Sequence, residues 1–411
     1  MGVLMDADAS RQLLEQVRDL ARGPFRERAA AADRDTELPI DNFNELAELG
    51  VSGLLISKAL GGLEADGETY IRLVEEIAYG DASTAVALNM HILVTAIASA
   101  LPPYPHRDHV LKACAEGAWC CAPGSIPSRE LDNTSTGFSA TEDGSDLVIS
   151  GRAGFASGAD AARFAMVGAL IDRPTEPDLV IALPDFTDEA ITNRGNWDGM
   201  GLRSTASHDV VIENLKLPRA ECFVVPLSLL RMGEQMIPQL QWQRRALPGL
   251  GICALWLGNA QAMFDETVEY LQQRRGYLAS ANSPLGGSNE LRSQQAWAQM
   301  ALGEMDSWLA SGRTMLYHAV SEVDRTYDDR QSFIRMQVRT THHLRRMAEE
   351  VAQISIKTTG AHAYVKGQPL ERLYRDLTGG IVMAWKTDEL QHSLGLAALG
   401  EEITIVGPAG T

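Results

Sequence analysis

None of the five cysteines (Cys114, Cys120, Cys121, Cys222 and Cys253) forms a CxxC pair. An odd thiol count without that motif suits a reducing compartment, and cytoplasmic location is the expectation. Positive charge is scarce as well: 36 Lys and Arg face 54 Asp and Glu, a formal net charge of −18. Nucleic acid and anionic membranes, whose binding depends on neutralising phosphate, are therefore not expected partners. A phosphate-bearing cofactor needs only a local basic group and stays open. No stretch of about 18 uninterrupted apolar residues occurs, so no membrane span is expected. Asp6 and Asp8 stand where a signal peptide carries basic residues, so no leader is expected either.

What is present is a chain of 411 residues with 45% hydrophobic residues, enough for two or three domains and a sizeable core. Residues 8 to about 130 have helical periodicity. Ile40, Phe43, Leu46 and Leu49 recur at helical spacing, as do Ile71, Val74 and Ile77. Asp81-Ala82-Ser83-Thr84 starts a helix over Ala85 to Leu101 that is apolar on almost all faces and hence buried. His91 lies inside it, either as a core histidine with both ring nitrogens satisfied locally or as a proton donor aimed into a pocket.

From about 120 to 225 short apolar or alternating runs replace the helical pattern: 137–141, 147–149, 164–171, 179–183, 190–192 and 210–217. Such runs indicate a compact antiparallel barrel or sandwich. Past Pro218 the pattern is helical again, with Trp297, Ala301, Met305, Trp308 and Met315 on one face and Leu344, Met347, Val351 and Ile354 on another. The expected class is mainly α with an inserted β domain: an N-terminal helical domain (1–120), a central antiparallel β-barrel (121–225) and a C-terminal helical bundle (226–411).

One stretch inside the β domain organises the rest. Leu147-Val148-Ile149 enters a Gly-punctuated turn, Phe155-Ala156-Ser157-Gly158, before the next apolar run. A hydroxyl between glycines leaves room for a flat ring close to backbone, with Ser157 offering it one hydrogen bond. A turn whose Gly and Ser merely satisfy backbone geometry fits the same residues.

Four strings together carry a resemblance: ELGVSGLLISKALGGLEAD (48–66), SGRAGFASGADAA (150–162), NWDGMGLRSTASHDVVIENLKLP (196–218) and PLERLYRD (369–376). With them the chain resembles the acyl-CoA dehydrogenase superfamily along nearly its whole length. The resemblance implies a flavin, FAD or FMN, between the β domain and the C-terminal helices of a homotetramer, with a neighbouring subunit completing each site. It puts Ser157 near flavin N5, Phe155 against the ring, and Ala122, Gly124 and Ser125 at the pyrimidine end. Arg275 corresponds to an arginine that reaches a neighbour's pyrophosphate. Lys357, often Gln in the family, and Gly360 belong to the turn near the adenosine portion, where Ala361 replaces a second glycine. Thr387 is a further candidate flavin contact.

The family's proton-abstracting carboxylate is missing. The segment after Asp376, Leu377 to Trp385, holds no acid, and neither does Gln235 to Phe264, the other place where the family carries it. Asp388 is the nearest substitute, although it also reads as a first-turn acid favoured by the helix dipole. A branch without the base, the class D flavin monooxygenases with the nitrososynthases of amino-sugar biosynthesis, is the closer resemblance. These take reduced flavin from a separate reductase and pass oxygen from a C4a-hydroperoxyflavin to a substrate. On that reading Ser157 accepts from N5–H, and His91 protonates or polarises the peroxide. Met383 and Trp385 line the pocket or are ordinary core. Two rival readings are an acyl-thioester dehydrogenase with Asp388 as displaced base and a flavin-free binding or assembly relative. Ser204, Thr205 and Ser207 touch the flavin region or cap strands. Gln243, Arg244 and Arg245 contact substrate or are ion-paired. His342 and His343, adjacent on one helix, do not converge on a metal.

Overall fold

The computed structural model describes residues 5–124, 137–226, 246–276, 290–323, 325, 330–383, 386–404 and 407–408. Its N-terminal part contains α1 (Ala7–Leu20), α2 (Arg26–Asp35), α3 (Ile40–Glu48), α4 (Gly67–Gly80), α5 (Ala82–Ala100) and α6 (Pro105–Ala115). The C-terminal part contains α7 (Leu247–Gln273), α8 (Ala296–Ser321), α9 (Arg330–Thr359), α10 (Pro369–Val382) and α11 (Thr387–Ala398).

Asp81 starts α5, its carboxylate accepting from the Ser83 and Thr84 amides at 3.3 and 3.1 Å, a strong N-cap. The helix is buried around most of its circumference. It and α4 pack into notches cut in α7 by glycine. A Cβ on Gly251 would stand 2.0 Å from Asn89 Oδ1, and one on Gly258 2.1 Å from the Glu75 carbonyl. Both α5 and α7 are long and apolar enough to cross a membrane, but 72% and 78% of those windows are buried inside the protein. One apolar core thus runs continuously through both helical parts.

Between them lies a seven-stranded sheet in the order β7-β8-β3-β2-β5-β6-β9. Its long central strands are β3 (Asp146–Ala156) and β8 (His208–Pro218). They are flanked by β2 (Gly137–Asp143), β5 (Val167–Ile171), β6 (Asp178–Ala182), β7 (Ile191–Asn193) and β9 (Phe223–Pro226). Pairing is antiparallel except between β2 and β5, which run parallel. The apolar run 164–171, read as one strand, is divided. Ala162–Ala165 is β4 and pairs in parallel with β1 (Trp119–Cys121), whereas Val167 onward joins the main sheet. The Met166 amide, between the two, donates to the Cys121 carbonyl at 2.9 Å. β1 lies within the stretch read as helical; three residues carry too short a period to be seen. The sheet keeps its own core around Ile149, Ala153, Val167 and Val210.

Candidate active site

The end of β3 and the loop before β8 meet in a turn held under strain. Phe155, Leu202 and Ala206, none of them glycine, have φ of 58°, 52° and 46°, a left-handed conformation that costs free energy and collects at functional sites. The Ser157 amide donates to the Phe155 carbonyl at 2.9 Å and the Gly158 amide to the Thr205 carbonyl at 2.8 Å. Gly158 itself has φ 80°, and a Cβ there would press on Ala87 of α5 at 3.3 Å. Phe155 is left 44% exposed, its ring edge-on to Trp197 at 5.6 Å.

Three hydroxyls run back from Ser157. Its Oγ is 2.7 Å from Ser207 Oγ, which is 2.6 Å from Thr205 Oγ1, which is 3.0 Å from the Leu202 carbonyl. A carbonyl only accepts, so Thr205 donates to it. Each hydroxyl has one proton, so Ser207 donates to Thr205 and Ser157 donates to Ser207. Ser157 Oγ therefore presents lone pairs and has no proton left to give.

That loop is clamped from behind by α10. The Leu202 amide donates to the Asp376 carboxylate at 2.7 Å, Arg375 forms a two-pronged ion pair with Asp33 at 2.6 and 2.8 Å, and Arg203 Nε donates to the Asp33 carbonyl at 2.9 Å. Asp33 and the strings 196–218 and 369–376, remote in sequence, thus form one joint. The glycine pair after it serves packing: a Cβ on Gly379 would meet Leu202 at 2.9 Å and one on Gly380 the Trp256 indole at 2.3 Å. Residues 7–117 match the family model for the acyl-CoA dehydrogenase N-terminal domain, and residues 250–382 match that for the C-terminal domain. The chain belongs to the acyl-CoA dehydrogenase family.

Among its relatives, the mitochondrial short-chain specific acyl-CoA dehydrogenase of Rattus norvegicus is 24% identical over 369 residues, 89% of this chain and 84% of that one. The nitrososynthase of Micromonospora carbonacea var. africana has the same fold with a TM-score of 0.80 at 22% identity, covering 97% of this chain and 100% of its own. TdsC of Paenibacillus sp. A11-2, a dibenzothiophene monooxygenase solved with FMN and indole, has a TM-score of 0.82 at 20% identity, covering 95% and 97%.

Within this family fold, Ala122 and Gly124 come to the Ser157 turn: the Gly124 amide donates to the Gly154 carbonyl at 3.3 Å, one residue before Phe155. Ser125 and Trp385 lie outside the described residues, as do Gln243, Arg244 and Arg245. Arg275, Lys357 and Gly360 stand elsewhere. Tyr270 stacks on His362 at 4.8 Å, which brings the segment of Arg275 to the turn opened by Gly360, and Lys357 is exposed beside it. This end lies roughly 26 Å along α7 from Trp256, at 1.5 Å per residue.

His91 is corrected by its partners. Its Nδ1 accepts from the Cys120 amide at 3.0 Å, so the proton is on Nε2, which donates to the Ser52 carbonyl at 2.7 Å. Both nitrogens are engaged with backbone, leaving none for a peroxide or for a metal shared with the nearby Cys114 and Cys120 thiols. Burial lowers its pKa to about 4, against the opposing pull of the Ser52 hydrogen bond. The ring is a neutral strut joining α5 to β1, not an acid.

The folded pKa lies below the ordinary 6.5, so this imidazole contributes stability in full above that pH and loses it as pH falls toward 4. The contribution is about 3 kcal/mol, at roughly 1.4 kcal/mol per unit. Urea unfolding of wild type and His91→Gln at several pH values between about 4 and about 7 should show the wild-type advantage growing with pH. A constant difference would contradict the assignment.

Asp388 is exposed in the first turn of α11, where an acid stabilises the helix start. Neighbouring Thr387 donates to Glu349 at 3.4 Å. The charged group buried behind the acid-free segment is a cation: Arg345, 1% exposed, lies over Trp256 at 5.1 Å and donates to the Met383 carbonyl. His342 and His343 each have a separate partner, Gln391 and Ser311. Thr205 and Ser207, read from sequence as strand caps or flavin neighbours, turn out to set the proton order at Ser157. Their only sequence signal was a cluster of hydroxyls after GMGLR.

Proposed function

We propose that the protein is the oxygenase of a two-component flavin monooxygenase. It takes reduced FMN or FAD from a separate reductase and uses O2 to hydroxylate or N-oxidise a small metabolite, working as a cytoplasmic homotetramer. The proton order at Ser157 carries the reading. Reduced flavin has a hydrogen on N5 and oxidised flavin has only a lone pair there, so a hydroxyl restricted to accepting favours the reduced form. A dehydrogenase begins its cycle with the oxidised form.

The residues fit a flavin: Phe155 offers an exposed ring, Gly158 removes the Cβ that would crowd the turn, and Ala122 and Gly124 bring backbone to the same place. A flavin bound there supplies the electrons that activate O2. Ser157 holds N5–H, which slows loss of that hydrogen, and the buried side chains of Ala87, Leu202 and Ala206 exclude water from the turn. A cofactor tail directed to the Arg275 end would be completed by a neighbouring subunit. The missing acid between Leu377 and Trp385, with Arg345 behind it, supports a reaction that abstracts no α-proton.

The test is stopped-flow absorbance. Reduced FMN with protein in excess, mixed with oxygenated buffer, should give a near-ultraviolet species that persists before the oxidised band returns. Direct return to oxidised flavin, with anaerobic bleaching of bound flavin by butyryl-CoA, would instead establish a dehydrogenase with a displaced base, for which Asp388 is the candidate. Failure to take up either flavin would identify a flavin-free relative.

A further inference from the structure

We propose that the cleft between α2, α7 and the start of α10 binds a phosphorylated small molecule of nucleotide size. The cleft has a volume of about 800 Å3, within the range of small-molecule sites. Six cationic side chains line it against three carboxylates, and three further carboxylates, Asp35, Asp198 and Asp376, pair with the lining Arg34, Arg203 and Arg372. What the cleft offers an anion is therefore hydrogen-bond donors, not a net charge.

Not all of these cations are available. Arg26 is paired with Glu266, and Arg375 is saturated by Asp33 and Glu371; these pairs make rigid walls. Arg372 differs. Its side chain is 11% exposed, and among the described residues its guanidinium makes one bond, from Nη1 to Asp376 at 3.3 Å. The remaining donors line the cleft. Lys366 is exposed at the rim with no partner among the described residues, and Arg34 pairs only with its sequence neighbour Asp35. An anion bridging Arg372 and these two would make charge-assisted bonds, the one to Arg372 shielded from bulk water, and the first turn of α10 would add its dipole. Donors set on three side chains suit the several oxygens of a phosphate or diphosphate better than the two of a single carboxylate. The Tyr79 ring and the methyls of Ala30 and Ala262, also in the lining, suit an apolar or flat remainder.

The site lies on the outer side of the 199–203 loop, through Met200 and Arg203, and does not depend on the reaction proposed above. Calorimetric titration with ADP and with inorganic pyrophosphate, on protein saturated with FMN, tests it. ADP is expected to bind, to weaken as salt is raised, and to lose at least about tenfold in affinity in the exposed double variant Arg34→Glu/Lys366→Glu, while FMN binding stays unchanged. No binding of either probe, equal binding by the double variant, or displacement of ADP by FMN would overturn the proposal. Should the protein take up no FMN at all, the same titration on flavin-free protein still decides the cleft.

Discussion

Replacing Thr205 by valine is expected to abolish or reverse the preference of the Ser157 turn for reduced flavin. Thr205 Oγ1 is what receives the Ser207 proton, and the Leu202 carbonyl is what fixes the Thr205 proton. Without that hydroxyl, Ser207 is free to donate to Ser157, and Ser157 then has a proton to offer the bare N5 of oxidised flavin. Each hydrogen bond gained or lost is worth about 1 kcal/mol net, and more where a buried group is left unmade. The ratio of dissociation constants for oxidised and reduced FMN should therefore fall by roughly tenfold to a hundredfold, equivalent to about −30 to −60 mV in the bound two-electron potential. Ser157→Ala should fall between wild type and Thr205→Val, because it removes the acceptor without creating a donor. Anaerobic binding titrations of both redox forms measure this directly. A ratio unchanged in Thr205→Val would mean that the hydroxyl order does not govern the turn, and the functional reading would lose its main support.

The stretch holding Phe155, Ser157 and Gly158 stood out as a hydroxyl flanked by small residues between two apolar runs, a pattern a plain turn also fits, and the roles given to Ser157 and Phe155 came from the family resemblance. The order helical, sheet, helical was legible from the change of hydrophobic period near 120 and 218. The direction of the relay was not. It depends on a backbone carbonyl at Leu202 and on left-handed φ at Leu202 and Ala206, residues that carry no chemical signature. His91 shows the opposite limit. An apolar helix reveals that a histidine is buried, but its partners, Ser52 and Cys120, lie 39 and 29 residues away, and only their placement shows both nitrogens engaged. The Gly379-Gly380 pair serves contact with Leu202 and Trp256, which no local pattern announces. Arg372 lies inside the string PLERLYRD, but nothing in that string shows the cleft it lines, which is assembled from three helices.

Asp376→Ala is expected to lower stability by about 3–5 kcal/mol, the usual consequence of stranding one partner of a buried pair. Arg372 loses the carboxylate it faces, and the buried Leu202 amide loses its acceptor. The damage reaches the Ser157 turn because Leu202 both receives that clamp and terminates the hydroxyl relay, so the redox preference should weaken in the same variant. Asp376→Asn separates the two effects, since its amide oxygen still accepts from Leu202. Burial raises the Asp376 pKa from 3.8 to about 6; Arg372 and the Leu202 amide pull it down, while Asp33 and Asp81 push it further up. With the folded pKa above the unfolded one, the carboxyl contributes stability in full below about pH 3.8 and loses it as pH rises through about 6, roughly 3 kcal/mol in all. Asn does not titrate, so Asp376→Asn should gain on wild type across that window, detectable by urea unfolding at matched pH. His91 has the opposite slope over nearly the same range, so the two offset each other in wild type. His91 is common to both proteins and cancels from their difference, so the gain should grow between about pH 4 and 6 and level off above that, and a profile parallel to wild type would show that Asp376 is ionised in the fold throughout.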